Sequence, residues 1–306
     1  MINNSEKKIA VLLPCKNEEG TIGSVVAGFR AALPSAEIYV YDNASTDQTS
    51  QIAAEAGARV VYEPTPGKGR VLRRMFADIE ADVYLISDGD ATYDPSDAPL
   101  LLKTLIEEKY DMVAGAREGI RQDAGRKGHA LGNILFNRLY KVLFGSGFSD
   151  IFTGYRALSK KLVKSFPAVS SGFEIEVELA VHTSQLRIPV TEIPVVYSER
   201  PKGSQSKLRT IPDGLKILKS MLVLLKENRP LALFGSLSLA SFSASLALSI
   251  PLLVTYADTG LVPRLPTALL SAILILFSLL LIVSGLILDS LAKARIETKR
   301  LTYLNC

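Results

Sequence analysis

Short apolar runs and helix-spaced segments alternate through the first half of the chain. Residues 9–13 form an unbroken apolar run of strand length, and 21–32 place apolar side chains at helical spacing. The alternation continues through a strand at 37–41, a helix at about 47–56, a strand at 59–62 and a helix at about 70–80. A strand at 82–87, a helix at about 96–109 and a short strand at 112–114 follow. Strands alternating with helices of this length predict βαβ units, hence an α/β fold with a mainly parallel sheet. Ligands of such sheets bind beyond the carboxyl ends of the strands. After Gly115 the pattern changes to an apolar helix at 131–144, a helix at 174–186 and an alternating strand at 189–198.

The last third carries another signal. Residues 231–257 and 265–288 contain no charged side chain. At ~1.5 Å per residue, each run is long enough to cross a hydrocarbon core of ~30 Å. Burial in a soluble core is the other reading, which two such runs around a short polar loop disfavour. Ser236, Ser238, Ser241, Ser243, Ser245 and Ser249 mark the first run, together with Pro251. Small residues permit close packing against the second run or another subunit. Ahead of the runs, Ile211, Leu215, Leu218, Leu222 and Leu225 recur at steps of three and four, with Lys216, Lys219 and Lys226 off the stripe. This is an amphipathic helix, lying in a membrane interface or packed on the preceding domain. The expected organisation is a domain at 1–207, an amphipathic juxtamembrane helix at 208–230, two spans within 231–290 and a tail at 291–306.

Composition and charge sharpen this picture. The 306 residues are 48% hydrophobic, with the excess in the two runs. The net charge is +4, yet eight Lys/Arg against two acids fall between Arg200 and Arg229. A basic stretch ahead of a span meets anionic lipid head groups, and no nucleic-acid-binding module accompanies it. Basic residues flank the pair of spans and the loop at 258–264 is nearly neutral, which puts both termini in the cytoplasm. Residues 1–8 are polar, so no signal peptide is expected and the first domain should be cytosolic. The expected location is the inner (plasma) membrane, as a multi-pass protein. Cys15 and Cys306, with His129 and His182 as the histidines, argue against a disulfide and a structural zinc.

Polar residues collect at four strand ends. Asp88-Gly89-Asp90 directly follows the apolar run Val83-Tyr84-Leu85-Ile86. Two carboxylates so placed suit a hard divalent cation, whose other partners are water and substrate phosphates. They also suit a turn or a helix cap. The other ends give Pro14-Cys15-Lys16-Asn17-Glu18, Asp42-Asn43-Ala44-Ser45-Thr46-Asp47 and Gly67-Lys68-Gly69, each with a local reading as cap or turn. Four such ends on one sheet edge point to a metal–diphosphate site. No G-x-G-x-x-G follows the first strand and Gly67-Lys68-Gly69 lacks P-loop spacing, which disfavours a Rossmann dehydrogenase and a P-loop NTPase.

With these blocks the chain resembles the family-2 glycosyltransferases of GT-A fold, specifically the polyprenyl-phosphate hexose synthases such as dolichyl-phosphate mannose synthase and the bactoprenol glucosyltransferases. The family's P-x-Y-N-E matches residues 14–18, with Lys16 in place of Tyr. Its D-D-G-S-x-D-G-T matches 42–49, with Asn43, Ala44 and Gln48 as departures. G-K-G and D-x-D match Gly67-Lys68-Gly69 and Asp88-Gly89-Asp90. Gly115-Ala116-Arg117, Asp150 with Thr153-Gly154-Tyr155-Arg156, and the run from Arg200 to Lys207 resemble later blocks, so the likeness spans about residues 8–210.

The resemblance implies inverting transfer of a sugar from a UDP- or GDP-hexose to polyprenyl phosphate (undecaprenyl or dolichyl phosphate) at the cytoplasmic membrane face. Pro14, Lys16, Glu18, Asp42, Lys68, Asp88 and Gly89 would hold the donor. Asp88 and Asp90 would bind Mg²⁺ or Mn²⁺, and Arg117, Arg200 and Lys207 would meet the acceptor phosphate. Asp90, Arg117 and Arg200 would carry the catalysis. Glu174, Glu176 and Glu178 read either as a solvated helix face or as the source of a catalytic carboxylate. Two other functions stay open, a family-2 transferase acting on a hydroxyl acceptor such as a lipid-linked sugar, and a non-catalytic membrane-anchored scaffold that binds nucleotide sugars. A homo-oligomer through the serine-rich span is also expected.

Overall fold

The computed structural model describes residues 7–118, 127–145, 148–200 and 210–306. In chain order the elements run β1 (Ile9–Cys15), α1 (Ile22–Ala32), β2 (Glu37–Asp42), α2 (Thr49–Glu55), β3 (Arg59–Tyr62), α3 (Lys68–Asp78), β4 (Val83–Ile86) and α4 (Ala98–Glu107). There follow β5 (Met112–Glu118), α5 (Lys127–Phe144), β6 (Arg156–Ser159), α6 (Lys160–Ser165), α7 (Ile175–Leu186) and β7 (Val190–Val196). The chain ends in α8 (Thr210–Asn228), α9 (Pro230–Thr259) and α10 (Leu265–Asn305). One compact unit comprises Met1–Met221 and Lys299–Cys306; a second comprises Leu222–Thr298.

In the first unit, seven strands form one sheet among the described residues, in the order β3-β2-β1-β4-β6-β5-β7. β1 is central, with Leu12 beside Tyr39 of β2 and Ile86 of β4. Its side chains are buried on both faces apart from half-buried Pro14, which is why it reads as a continuous apolar run. The carboxyl ends of β1 and β2 are level, Cys15 pairing with Asp42, and β4 ends at Ile86 nearby. This alignment brings the polar blocks to one edge. β6 runs against its neighbours β4 and β5, setting Arg156 opposite Ile86. Sequence patterning misses this strand because four residues, Arg-Ala-Leu-Ser, carry neither an apolar run nor an alternation long enough to register.

Helix α8 corrects one expectation in detail. The buried positions are Ile217, Met221 and Leu225, whereas Leu215, Leu218 and Leu222 of the expected stripe are exposed. The helix carries apolar side chains on two faces; of the stripe legible in the sequence, Leu215, Leu218 and Leu222 are left outward and Leu225 is buried. The side chain of Ile211 lies outside the described residues.

In the second unit, α9 and α10 are both long and apolar enough to cross a membrane, and few side chains of their apolar stretches are buried. Their contact is lined by small polar residues. Ser238 Oγ donates to the Ser278 carbonyl (2.9 Å) and Ser278 Oγ to the Ser238 carbonyl (3.0 Å). Ser241 and Ser245 donate to the carbonyls of Leu274 (3.0 Å) and Ser271 (2.7 Å). Gly285 sits against Phe234, where an added Cβ would come within 3.1 Å. Leucines face outward and serines lie between the helices, the close packing that small residues allow. Helix α10 continues beyond the expected span through the basic tail to Asn305.

Candidate active site

At the carboxyl edge of the sheet the strand ends surround a cleft open to solvent. Pro14, Cys15, Lys16 and Glu18 line it from β1 and the turn behind it, and Asn43 from the end of β2. Gly67 and Lys68 enter at the start of α3, and Asp88, Gly89 and Asp90 follow β4. Phe173 and Arg200 complete the wall. Of the residues expected to form the site, Pro14, Lys16, Glu18, Lys68, Asp88, Gly89, Asp90 and Arg200 are thus brought together. Lys207 lies outside the described residues.

Two expected residues are placed elsewhere. Asp42 is buried and turned into its own loop, where it accepts from the Ser45 N–H (2.8 Å) and the Ser50 hydroxyl. It holds the turn rather than the cleft wall. Arg117 forms a two-pronged pair with Asp150, Nε to Oδ2 at 2.6 Å and Nη2 to Oδ1 at 2.8 Å, and lies over the Tyr197 ring at 5.2 Å. Its guanidinium is committed to a buried carboxylate that the sequence placed beside it only as a family block.

The two aspartates are held by cations of the chain. Asp90 is buried; its Oδ1 accepts from Thr92 Oγ1 (2.6 Å), and its Oδ2 lies 2.5 Å from Arg200 Nη2. Asp88 Oδ1 lies 2.6 Å from Lys68 Nζ, which is also 2.6 Å from Glu176 Oε1. Burial alone would lower the Lys68 pKa, but the charges of Asp88 and Glu176 outweigh it and hold the ammonium protonated. Burial pushes the Cys15 thiol up, as do the carboxylates of Glu18, Asp88, Asp42 and Asp90, so Cys15 lines the cleft as a neutral thiol. Arg156 is fully buried and donates to the carbonyls of Thr153 (2.9 Å), Glu176 (3.3 Å) and Ile151 (2.8 Å).

The donor set fits a hard divalent cation. No group of three or more His, Cys, Asp or Glu side chains gathers among the described residues, and at this cleft they offer the two aspartates as oxygen ligands. Such an ion completes its sphere with water and substrate phosphate. Positive charge already rests on both carboxylates, and Arg200 Nη1 is buried without a hydrogen-bond partner. A buried unmet donor beside a carboxylate pair suits an incoming anion.

Glu176 is the residue the sequence left ambiguous. Glu174, Glu176 and Glu178 look alike there, yet each has a separate task. Glu174 accepts from the Gly172 N–H (3.3 Å), Glu178 from Val169 (2.9 Å) and Ser170 (2.7 Å), and Glu176 from Lys68. Glu176 and Glu178 are buried, which overturns the solvated-face reading for both. Asn43 departs from the family's acid at its position for a visible reason. Its Nδ2 donates to the carbonyls of Glu63 (3.3 Å) and Thr65 (2.8 Å) and its Oδ1 accepts from the Gly67 N–H (2.6 Å). A carboxylate would face two carbonyl oxygens there.

A seven-stranded mixed sheet with an aspartate pair beyond β4 and a cation-lined cleft defines a GT-A glycosyltransferase. Residues 10–166 match the profile of glycosyl transferase family 2, and the chain belongs to that family. It is 34% identical to glycosyltransferase AglJ of Haloferax volcanii over 299 residues, 97% of this chain and 98% of that protein. It is 31% identical to the dolichyl-phosphate hexose transferase of the same organism over 222 residues, 72% of this chain and 95% of that one. Glucosyl-3-phosphoglycerate synthase from Mycobacterium tuberculosis, solved with Mn²⁺, UDP and glucosyl-3-phosphoglycerate, shares the fold. That match has a TM-score of 0.61 at 24% identity, covering 72% of this chain and 81% of that one.

Proposed function

We propose that this glycosyltransferase moves a sugar, with inversion, from a nucleotide-diphosphate sugar to a polyprenyl phosphate at the cytoplasmic face of the plasma membrane. The observation that carries the reading is the pair Asp88 and Asp90 facing a cleft that also presents Lys68 and Arg200. The likeness to a dolichyl-phosphate hexose transferase and the two apolar helices support the lipid acceptor. Tyr303 of the tail donates to Asp111 Oδ2 (2.6 Å) within the first unit, which supports an arrangement with both ends of the hairpin on one side of the bilayer.

The residues divide the work by charge. Pro14, Lys16 and Glu18 hold the nucleoside end of the donor, and Lys68 faces its diphosphate. Asp88 and Asp90 hold Mg²⁺ or Mn²⁺, which when bound neutralises the leaving diphosphate. Arg200 and Lys207 bring the acceptor phosphate in, with the unmet Arg200 Nη1 available to it. A phosphate monoester has its second pKa near ~6, so the acceptor arrives already anionic and needs no general base. Bringing two anions together is the harder task, and the cations accomplish it. Arg117 stays with Asp150 and fixes the sheet edge beside them. The lipid tail keeps the acceptor in the bilayer at about 0.8 kcal/mol per buried CH₂, so the site must come to the membrane.

The test uses full-length protein in detergent with undecaprenyl phosphate and a panel of radiolabelled UDP- and GDP-sugars, reading label extracted into organic solvent. One donor should label the lipid, and Asp90→Ala should abolish the transfer while the protein stays folded and membrane-bound. Undiminished transfer by that variant refutes the metal assignment. Failure of every donor in the wild type refutes the acceptor.

A further inference from the structure

We infer that Glu176 is a positioning residue of this site: a buried carboxylate that keeps Lys68 paired when Asp88 is handed from the lysine to a donor-bound divalent cation. The inference rests on the proposed nucleotide-sugar chemistry and adds a residue to it.

Lys68 Nζ sits 2.6 Å from each of two carboxylates, and the two differ in place. The Asp88 side chain is 28% exposed and lines the cleft; that of Glu176 is 10% exposed and lines a separate small pocket with Lys68 and Arg156. A cation entering the cleft therefore meets Asp88, not Glu176. When Asp88 turns to that cation, a lysine with a single counter-ion would be left charged and buried, a strongly unfavourable state. With Glu176 behind it, Lys68 keeps one partner and remains aimed at the cleft as a ligand for the diphosphate. Without Glu176, the ammonium has Asp88 alone and competes with the metal for it.

Glu176 has a second neighbour, and the test must separate the two. Arg156 donates only to carbonyls in the described structure, and Glu176 is the foremost charge favouring its protonated form. Glu176→Gln removes the charge from both cations. Glu176→Asp keeps the charge near Arg156 but is one methylene short of Lys68.

The experiment measures Mn²⁺ binding to the full-length protein in detergent, with UDP or GDP and no acceptor, by the electron paramagnetic resonance of bound Mn²⁺. Glu176→Gln and Glu176→Asp should each weaken nucleotide-dependent Mn²⁺ binding by about tenfold to a hundredfold, as loss of a residue supporting a metal ligand does. Glu176→Asp should melt as the wild type does. At saturating nucleotide, which offsets the diphosphate ligand lost with the lysine, adding Lys68→Met to Glu176→Gln should restore most of the Mn²⁺ affinity, because no ammonium then competes for Asp88; a merely structural role would not give that rescue. Wild-type affinity in both single variants, or no rescue in the double variant, overturns the inference. Absence of nucleotide-dependent Mn²⁺ binding in the wild type overturns the nucleotide-sugar reading itself and the inference with it.

Discussion

Gly154 is the sharpest geometric probe of the carboxylate pair. A Cβ added there would lie 2.5 Å from Asp88 Oδ2, 3.0 Å from its Cγ and 3.1 Å from its Oδ1. An ordinary carbon–oxygen contact is about 3.3 Å, so Gly154→Ala must push the carboxylate back by roughly 0.8 Å. Rotation of the group gives no relief, since all three of its atoms are crowded. The displacement strains the 2.6 Å contact with Lys68 and moves the metal-facing oxygens together. A misplacement near 1 Å at a reacting centre costs about a hundredfold in rate, or ~2.7 kcal/mol of barrier. The backbone at Gly154 is not left-handed, so alanine itself is accepted and the fold should persist. The assay is the initial rate of label transfer to undecaprenyl phosphate, read beside the melting temperature of the same detergent-solubilised sample. A folded variant that transfers at the wild-type rate would show that Asp88 does not act from this position.

Asp150→Asn should destabilise the first unit by about 3–5 kcal/mol, because it leaves the buried Arg117 guanidinium uncompensated; denaturant titration checks this. The double replacement Arg117→Met with Asp150→Asn should recover much of the loss, and a double variant as unstable as the single one would contradict the pairing. His182 supplies a pH dependence: burial, then the charge of Lys299, lowers its pKa to about 3 from the ordinary 6.5. The unfolded chain therefore takes up a proton below pH 6.5 that the folded chain refuses until about pH 3, and stability falls with pH across that window. At pH 5 the loss from this group is about 2 kcal/mol, and His182→Leu should flatten the acid limb of melting temperature against pH by that amount.

Much of the fold was legible in the chain because its signals are local. The strand β3 spans 59–62 as expected, and β1, β2, β4 and α1 differ from expectation only at their ends. The apolar runs that became α9 and α10 needed only counting. At the site, Asp88 and Asp90 were identifiable from their place behind an apolar strand, as was Lys68 from its glycine neighbours. Asp42 and Arg117 looked equally suitable, and their side chains turned out to be engaged by Ser45, Ser50 and Asp150. The engagement of Asp42 is local, by serines three and eight residues on, whereas no local spacing reports that of Arg117, since Asp150 lies 33 residues away.

The sequence by itself determined the alternation of strands and helices, the polar blocks at the strand ends and the two long apolar helices. Each follows from periodicity, turn chemistry or length over a few residues. Only the tertiary structure decided which carboxylate meets which cation: Asp88 and Glu176 on Lys68, Asp90 on Arg200, Asp150 on Arg117. Such pairings join positions up to 110 residues apart, as Asp90 and Arg200 are, and depend on how the strands stack and where burial removes water. In a low-dielectric interior a charge must find its partner wherever the chain brings one, and sequence order does not constrain that choice.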